Sequence, residues 1–409
     1  MSNIYANKTL SGMLTRDGEY SLFTYAPDAT GQEAVAIGMR PDLLRQYKGT
    51  RPHTLLPAFA MNLPEGRLRE SLINSFIRQL PAMDDMALFE IVGRSQIGRI
   101  RVASSPDELE GIPTLSLPDL LKTKGTGEML NRLLDRYAQY SGVAGVQPKF
   151  LVRDQVTLGK ISPDKKLAVP GTTHIVKFFD PREFPALASN EYACLTAAKT
   201  AGIQVPNFQL SEDAQSIAIE RFDLKPDGTY AGVEDTCSLA GFQPGDKYTG
   251  SYEQLAKTLS AIIAPEYRGE DMAAFFQSLV LSIIVRNGDA HRKNFSVIYN
   301  TPDDARLSPA YDIISTLPYL PNDTMALMLN GSKRWPTRRT LLQFATNSCN
   351  IETKKAGEIM DRTREAVAQT RETLVTMIKS EESTHASHAL AAIINIWEDG
   401  ISQTRPNPS

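Results

Sequence analysis

Three side chains in the C-terminal half are of the types that phosphoryl transfer to a hydroxyl requires. Asp289 and Asn294 stand in Arg286-Asn-Gly-Asp289-Ala-His-Arg-Lys-Asn294-Phe-Ser296, and Asp312 follows in Tyr311-Asp-Ile-Ile-Ser315. A carboxylate must accept the proton of the incoming hydroxyl, and an amide oxygen with a second carboxylate must hold Mg²⁺ against the phosphates. Asp289 has the chemistry of the base, and Asn294 and Asp312 that of the metal ligands. An Asp and an Asn in a glycine-containing loop are also ordinary turn formers, because their side chains bond neighbouring backbone groups. The triplet therefore draws its weight from what surrounds it.

The spacing is the first support. Protein-kinase catalytic loops place base and metal-binding Asn five residues apart and the metal-binding Asp on a later strand end. Here Asn294 is five residues after Asp289, and Asp312 eighteen after Asn294. The elements that must position them follow from periodicity. Met272, Phe275, Phe276, Leu279, Val280, Ile283 and Ile284 form an apolar stripe broad enough for a buried helix that ends just before the loop. Phe295–Tyr299 then reads as a short strand, and Asn300-Thr-Pro-Asp-Asp as a turn.

Upstream lies a glycine-containing segment, Ser141-Gly-Val-Ala144-Gly145-Val146-Gln147-Pro148-Lys149-Phe150, preceded by a helix-like run from Leu130 to Tyr140. Two glycines let the backbone approach a ligand and turn N–H groups toward phosphate oxygens, although the spacing matches neither the Walker loop nor Gly-x-Gly-x-x-Gly. Strand-like segments follow at Phe150–Arg153 and His174–Phe179, and the second carries Lys177. A strand lysine either snorkels to solvent or serves a buried anion. Glycine loop, strand and strand lysine come in the order of a kinase ATP lobe. A helix from Leu187 to Ala201 carries Glu191, fourteen residues after Lys177, either a partner of the lysine or a solvated side chain. Ile217–Asp223 alternates as a strand in the place of a kinase hinge, and from Tyr252 onward the periodicity becomes helical.

At 409 residues the chain exceeds one core, and two or three lobes are expected. The net charge of −3 argues against a molecule that attracts nucleic acid as a whole, so any such contact needs a local patch. Three scattered cysteines, Cys194, Cys237 and Cys349, lack metal-ligand spacing and suit a reducing compartment. The start shows no secretory pattern and no apolar run reaches the ~20 residues a membrane span needs, so a cytoplasmic protein with no membrane partner is expected. Residues 1–60 carry short β-like runs, and helix-like segments cover Arg67–Gln79 and Met83–Val92.

Together these pieces resemble the HipA family of bacterial serine/threonine kinases, the toxin halves of toxin–antitoxin pairs. The resemblance rests on Val143-Ala-Gly-Val-Gln-Pro-Lys149, Thr173-His-Ile-Val-Lys177, Asn190-Glu-Tyr192, Glu220-Arg-Phe-Asp223, Asp289-Ala-His-Arg-Lys-Asn-Phe-Ser-Val297 and Tyr311-Asp-Ile-Ile-Ser315, in family order, with Asn62-Leu-Pro-Glu65 and Gly93-Arg94 toward the N-terminus. It implies an α+β, protein-kinase-like bilobal fold: a strand-rich ATP lobe and a helical C-terminal lobe, with an extra N-terminal HipA-type subdomain. The expected domains are 1–125 for that subdomain, 126–225 for the small lobe with phosphate loop and hinge, and 226–409 for the helical lobe with the catalytic loop.

The resemblance implies Asp289 as catalytic base, Asn294 and Asp312 as Mg²⁺ ligands, and ATP as the nucleotide. Ala144, Gly145, Val146, Gln147, Pro148 and Lys149 would form the phosphate loop, Lys177 would hold phosphates, and Glu220, Arg221 and Phe222 would hold adenine. His291, Arg292, Lys293 and Tyr311 complete the ATP site. A helix-turn-helix antitoxin of the HipB type, operator DNA reached through that complex, and a protein substrate such as an aminoacyl-tRNA synthetase would be the partners.

The chain departs from the family in one place. Members commonly carry an autophosphorylated serine three residues before the loop glycine, where this chain has Gly142; the neighbouring Ser141 is either a displaced phosphosite or a helix-end serine. The densest basic cluster, Lys333-Arg334-Trp-Pro-Thr-Arg338-Arg339, is either a DNA contact or a solvated loop. Two other readings compete with the protein kinase: a co-repressor subunit that mainly binds its antitoxin on DNA, and a small-molecule phosphotransferase.

Overall fold

The structure is a computed structural model that describes residues 1–76, 84–109, 112–122, 132–133, 136–145, 147–155, 171–381 and 383–406. The chain divides into two compact units. The first comprises Met1–Phe178, Ser211–Gly245 and Ile298–Ala305, and the second Phe179–Leu210, Asp246–Val297 and Arg306–Ser409.

The first unit opens with an antiparallel sheet of β1 (Ser2–Ala6), β2 (Thr9–Asp17), β3 (Tyr20–Tyr25), β4 (Gln46–Lys48) and β5 (Ile100–Val102), in the order β4-β3-β2-β1-β5. In β3 buried and half-buried residues alternate, which puts Phe23 and Tyr25 inside. Helices Pro57–Ala60, Gly66–Phe76 and Asp85–Val92 accompany this sheet, the last capped by Asp84, whose carboxylate accepts from Ala87 N at 3.0 Å.

A second sheet in the same unit contains β6 (Thr114–Leu115), β7 (Lys149–Asp154), β8 (His174–Phe178) and the strand Ser216–Glu220. β7 and β8 are antiparallel, with Phe150 opposite Val176 and Lys149 opposite Lys177; Ile217 in turn lies opposite Lys177. The two-residue period gives each face its own task. Phe150, Val152, Val176, Phe178 and Ala218 share one buried apolar cluster with Ile4, Phe23, Phe59 and Phe89 of the N-terminal segment. That face is consumed by packing, and Lys149, Leu151, Lys177, Ile217 and Ile219 are left for the other.

The second unit is helical: Leu187–Thr200, Tyr252–Ile262, Arg268–Ile284, Arg338–Cys349, Thr353–Ser380 and Thr384–Gln403. Arg268–Ile284 packs against Thr353–Ser380 and Thr384–Gln403 and buries Phe275, Phe276, Leu279, Val280, Leu281, Ile283 and Ile284. Each such side chain stabilises by about 1.5–3 kcal/mol relative to exposure. The helix end is thereby held as a rigid platform for the loop that follows. No described helix is long and apolar enough to cross a membrane.

Candidate active site

The catalytic-loop residues lie wholly in the second unit. Past the helix Arg268–Ile284, Arg286 takes a left-handed conformation (φ 57°), and Asn287 N donates to Ser282 O at 2.7 Å, which turns the chain sharply. Gly288 N donates to Thr316 Oγ1 at 2.9 Å, and Asp289 N to Asn287 Oδ1 at 3.1 Å. These bonds fix the backbone under Asp289 and leave its carboxylate 42 % exposed. A proton acceptor must be both held and reachable, and Asp289 is both.

Asn294 closes the loop on itself: its Oδ1 accepts from His291 N at 3.1 Å, and its own N–H donates to His291 O at 3.0 Å. Its amide Nδ2 reaches Asp312 Oδ2 at 3.3 Å, so the two residues read as metal ligands are brought together. Asp312 itself sits at φ 59°, a conformation uncommon for a residue with a side chain and one that clusters at functional sites. The segment after it is locked by Asn190, which is fully buried. Its Nδ2 donates to Ser315 O at 2.8 Å, and its Oδ1 accepts from Ser315 N at 2.9 Å. Among the described residues no group of three or more His, Cys, Asp or Glu side chains could hold a metal unaided. One amide and one carboxylate do fit a Mg²⁺ ion that arrives with a nucleotide, since Mg²⁺ takes one or two protein ligands and completes its shell with phosphates and water.

The other loop residues are supports. Tyr311 OH donates to Lys293 O at 2.8 Å. Arg292 is buried and clamps a neighbouring segment: its backbone N donates to Lys247 O at 3.2 Å, its Nε to Thr249 O at 2.7 Å, and its guanidinium to Gln254 Oε1 at 3.1 Å. Gln254 also completes the capping box with Ser251 that starts the helix Tyr252–Ile262, and Tyr252 OH donates to Ala290 O at 2.9 Å. His291 is buried, which pushes its pKa down to about 4, with the charge of Lys247 acting the same way and Asp312 opposing. At neutral pH it is therefore an uncharged imidazole 3.9 Å from Asp289 Oδ1.

The phosphate-loop residues lie in the first unit. Lys149 and Lys177 are direct cross-strand partners, each about 5 % exposed. Both lysines therefore come from the sheet face that the apolar cluster leaves over. Gly145 has φ +126°, which glycine alone adopts readily, and a Cβ there would lie 2.2 Å from Lys149 Nζ. The ammonium is folded back under the loop. Ala144 and Gln147 are half-buried, Pro148 O accepts from Phe178 N at 2.9 Å, and Val146 lies outside the described residues.

Other residues read from the sequence have different surroundings. Arg221 is fully buried and pairs with Asp223 (Nε to Oδ1 3.0 Å), donates to Thr172 Oγ1 at 2.7 Å and Gln96 O at 2.9 Å, and stacks on Tyr230 at 4.1 Å. Its side chain is committed to the body of the first unit, so any adenine contact at this position falls to its backbone. Glu220 and Phe222 are half-buried, and Glu191 is buried within Leu187–Thr200. Ser141 is buried, its hydroxyl donating to Tyr137 O at 2.8 Å and accepting from Leu151 N at 3.0 Å. Gly142 is equally constrained: a Cβ there would meet Gln96 Cβ at 2.5 Å and Ser95 O at 2.9 Å. The position where the resemblance leads us to expect serine has no room for a side chain in this chain. Lys333, Arg334 and Arg339 are exposed, whereas Arg338 pairs with Asp361 at 2.9 Å. All three cysteines are buried thiols, and burial pushes Cys194 and Cys349 up to about 12.

Sequence reading missed Tyr248, whose hydroxyl donates to Asp289 Oδ1 at 2.6 Å, and Thr316, which anchors Gly288. Neither lies in a periodic or motif-bearing stretch. For Asn190, which the quoted string contains, the sequence offered no role.

The fold is that of a kinase-like protein. A HipA chain of Shewanella oneidensis MR-1, solved with HipB and operator DNA, superposes with a TM-score of 0.70 at 18 % identity, over 99 % of this chain and 97 % of that one. The profile of the HipA N-terminal domain matches residues 2–103, and that of the HipA-like C-terminal domain residues 141–371. The chain belongs to the HipA family. Among relatives, the candidate kinase Y4dM of Sinorhizobium fredii is 31 % identical over 309 residues, 69 % of this chain and 68 % of that protein. The candidate kinase Y4mE of the same organism is 25 % identical over 90 % of this chain and 91 % of its own length.

Proposed function

We propose that this protein is an ATP- and Mg²⁺-dependent protein serine/threonine kinase and the toxin of a HipA–HipB-like pair, restraining growth by phosphorylating a translation component. The observation that carries the reading is the arrangement on one loop system of an accessible, backbone-anchored Asp289 with Asn294 and Asp312 in hydrogen-bond contact. In this mechanism the acceptor hydroxyl gives its proton to Asp289 as its oxygen approaches the γ-phosphorus. Lys149 and Lys177 hold phosphate oxygens, supported by backbone N–H groups around Gly145. Asn294 and Asp312 would hold Mg²⁺, which neutralises charge on the phosphates. Neutral His291 adds no further positive charge to a loop that already carries Arg292 and Lys293.

The partners that go with this reading are a helix-turn-helix antitoxin and, through it, operator DNA in the cytoplasm. An aminoacyl-tRNA synthetase is the substrate the family suggests. Lys333 and Arg334 are exposed, as either a DNA contact or a solvated loop requires; a DNA contact would be steep in salt through phosphate neutralisation. Lys333→Ala with Arg334→Ala then lowers the DNA affinity and salt slope of the ternary complex; unchanged values assign the cluster to plain surface. The decisive test of the kinase is transfer of labelled γ-phosphate in a host lysate, wild type against Asp289→Asn. Labelling by wild type alone sustains it. Silence from both, with ATP bound, refutes the catalytic role and favours the co-repressor.

A further inference from the structure

Tyr248 places a hydroxyl where a phosphoryl acceptor belongs. Its Oη donates to Asp289 Oδ1 at 2.6 Å, the contact a general base must make with the hydroxyl it deprotonates. The contact is braced on both sides, since the carbonyls of its neighbours Lys247 and Thr249 are both gripped by Arg292 of the catalytic loop, at 3.2 and 2.7 Å. The ring packs edge-on against His291, with centroids 5.1 Å apart and planes at 73°. Yet Tyr248 is 45 % exposed, so burial does not account for its place. An exposed tyrosine held by its flanking backbone against the base, on a buried arginine of the catalytic loop, is a presented hydroxyl.

We propose that Tyr248 is an internal phosphoryl acceptor, modified in cis; this rests on the phosphotransfer reading above and goes beyond it, adding a phenol to the serine and threonine acceptors. Tyr248 Oη attacks the γ-phosphorus of ATP. The Oη–P bond forms as the bond from that phosphorus to the β,γ-bridging oxygen breaks, ADP leaves with the electron pair, and Asp289 takes the phenolic proton. The product carries close to two negative charges beside the Asp289 carboxylate, so like-charge repulsion separates it from the base. The modification therefore clears the acceptor position.

The test incubates the full-length chain with ATP and Mg²⁺ in a host lysate and maps phosphopeptides by tandem mass spectrometry, with ADP release followed in parallel. Wild type is expected to carry phosphate on Tyr248 at a rate unchanged by dilution, and Asp289→Asn to carry none. In Tyr248→Phe the peptide should lose its phosphate; retention on Thr249 would overturn the assignment. Label on other residues or lysate proteins with Tyr248 unmodified overturns the acceptor and leaves the kinase standing. A rate that falls on dilution overturns modification in cis. No label and no ADP release overturns both readings.

Discussion

Replacing Asn190 by Ala tests whether the Asp312 segment is held in the way the structure indicates. Asn190 and Ser315 are both fully buried and exchange two hydrogen bonds, at 2.8 and 2.9 Å. Alanine removes both partners at once and leaves the Ser315 N–H and C=O buried without them. An orphaned buried group costs about 1–3 kcal/mol, so the loss is roughly 2–6 kcal/mol in all. Urea unfolding can follow it through Trp397, whose indole donates to Ser315 Oγ at 2.8 Å and so reports on this spot. Phosphoryl transfer should fall further than stability alone explains. Ser315 is three residues past Asp312, and a loosened anchor lets Asp312 relax from its φ of 59° and leave Asn294. Asn190→Asp separates the two bonds. Its carboxylate still accepts from Ser315 N but meets Ser315 O without a proton, so it should fall below Asn190→Ala at neutral pH and recover on acidification. An Asn190→Ala protein with wild-type unfolding free energy and wild-type transfer rate would refute the reasoning.

Gly142→Ser should destabilise by about 1–3 kcal/mol through overpacking against Gln96 and Ser95, measured by chemical unfolding. Lys177→Met should weaken ATP binding by calorimetry by roughly an order of magnitude, the scale of one charge-assisted phosphate contact; unchanged binding would remove Lys177 from the phosphate site. Glu234 is buried, and burial raises its pKa from 4.5 to about 7 while Ile37 N and Tyr299 OH donate to it. Since the folded form keeps its proton longer than the unfolded one, this residue's contribution is full below pH 4.5 and is lost as pH rises to about 7. Glu234→Gln should remove that fall, about 3 kcal/mol, from the pH dependence of unfolding; parallel curves for the two proteins would count against it.

The parts of this protein visible in its sequence are those fixed by near neighbours. The apolar stripe from Met272 to Ile284 announces a buried helix because its period is local, and the Asp289–Asn294 spacing announces a loop because one turn contains it. β7 and β8 declare themselves by alternation, so Lys177 could be placed on a strand, but the register that sets it opposite Lys149 depends on pairing across a long connection. Arg221 shows the same limit from the other side. Its string sits where a hinge should, yet its guanidinium is taken up by Gln96 and Thr172, residues distant in sequence. Gly142 could be noticed as an absent serine, and only the backbone of Ser95 and Gln96 explains why no side chain fits.

Tyr248 is the sharpest case. It lies 41 residues before Asp289 in a polar turn whose composition describes any surface loop, and what makes it part of the site is Arg292 reaching back to the carbonyls on either side. A sequence motif marks the groups that carry out a reaction, because their spacing within one loop is a chemical requirement. The groups that hold or fill the site answer only to contact in space, and any segment that arrives there with the right atom will serve. Gly142 and Tyr248 are of that second kind.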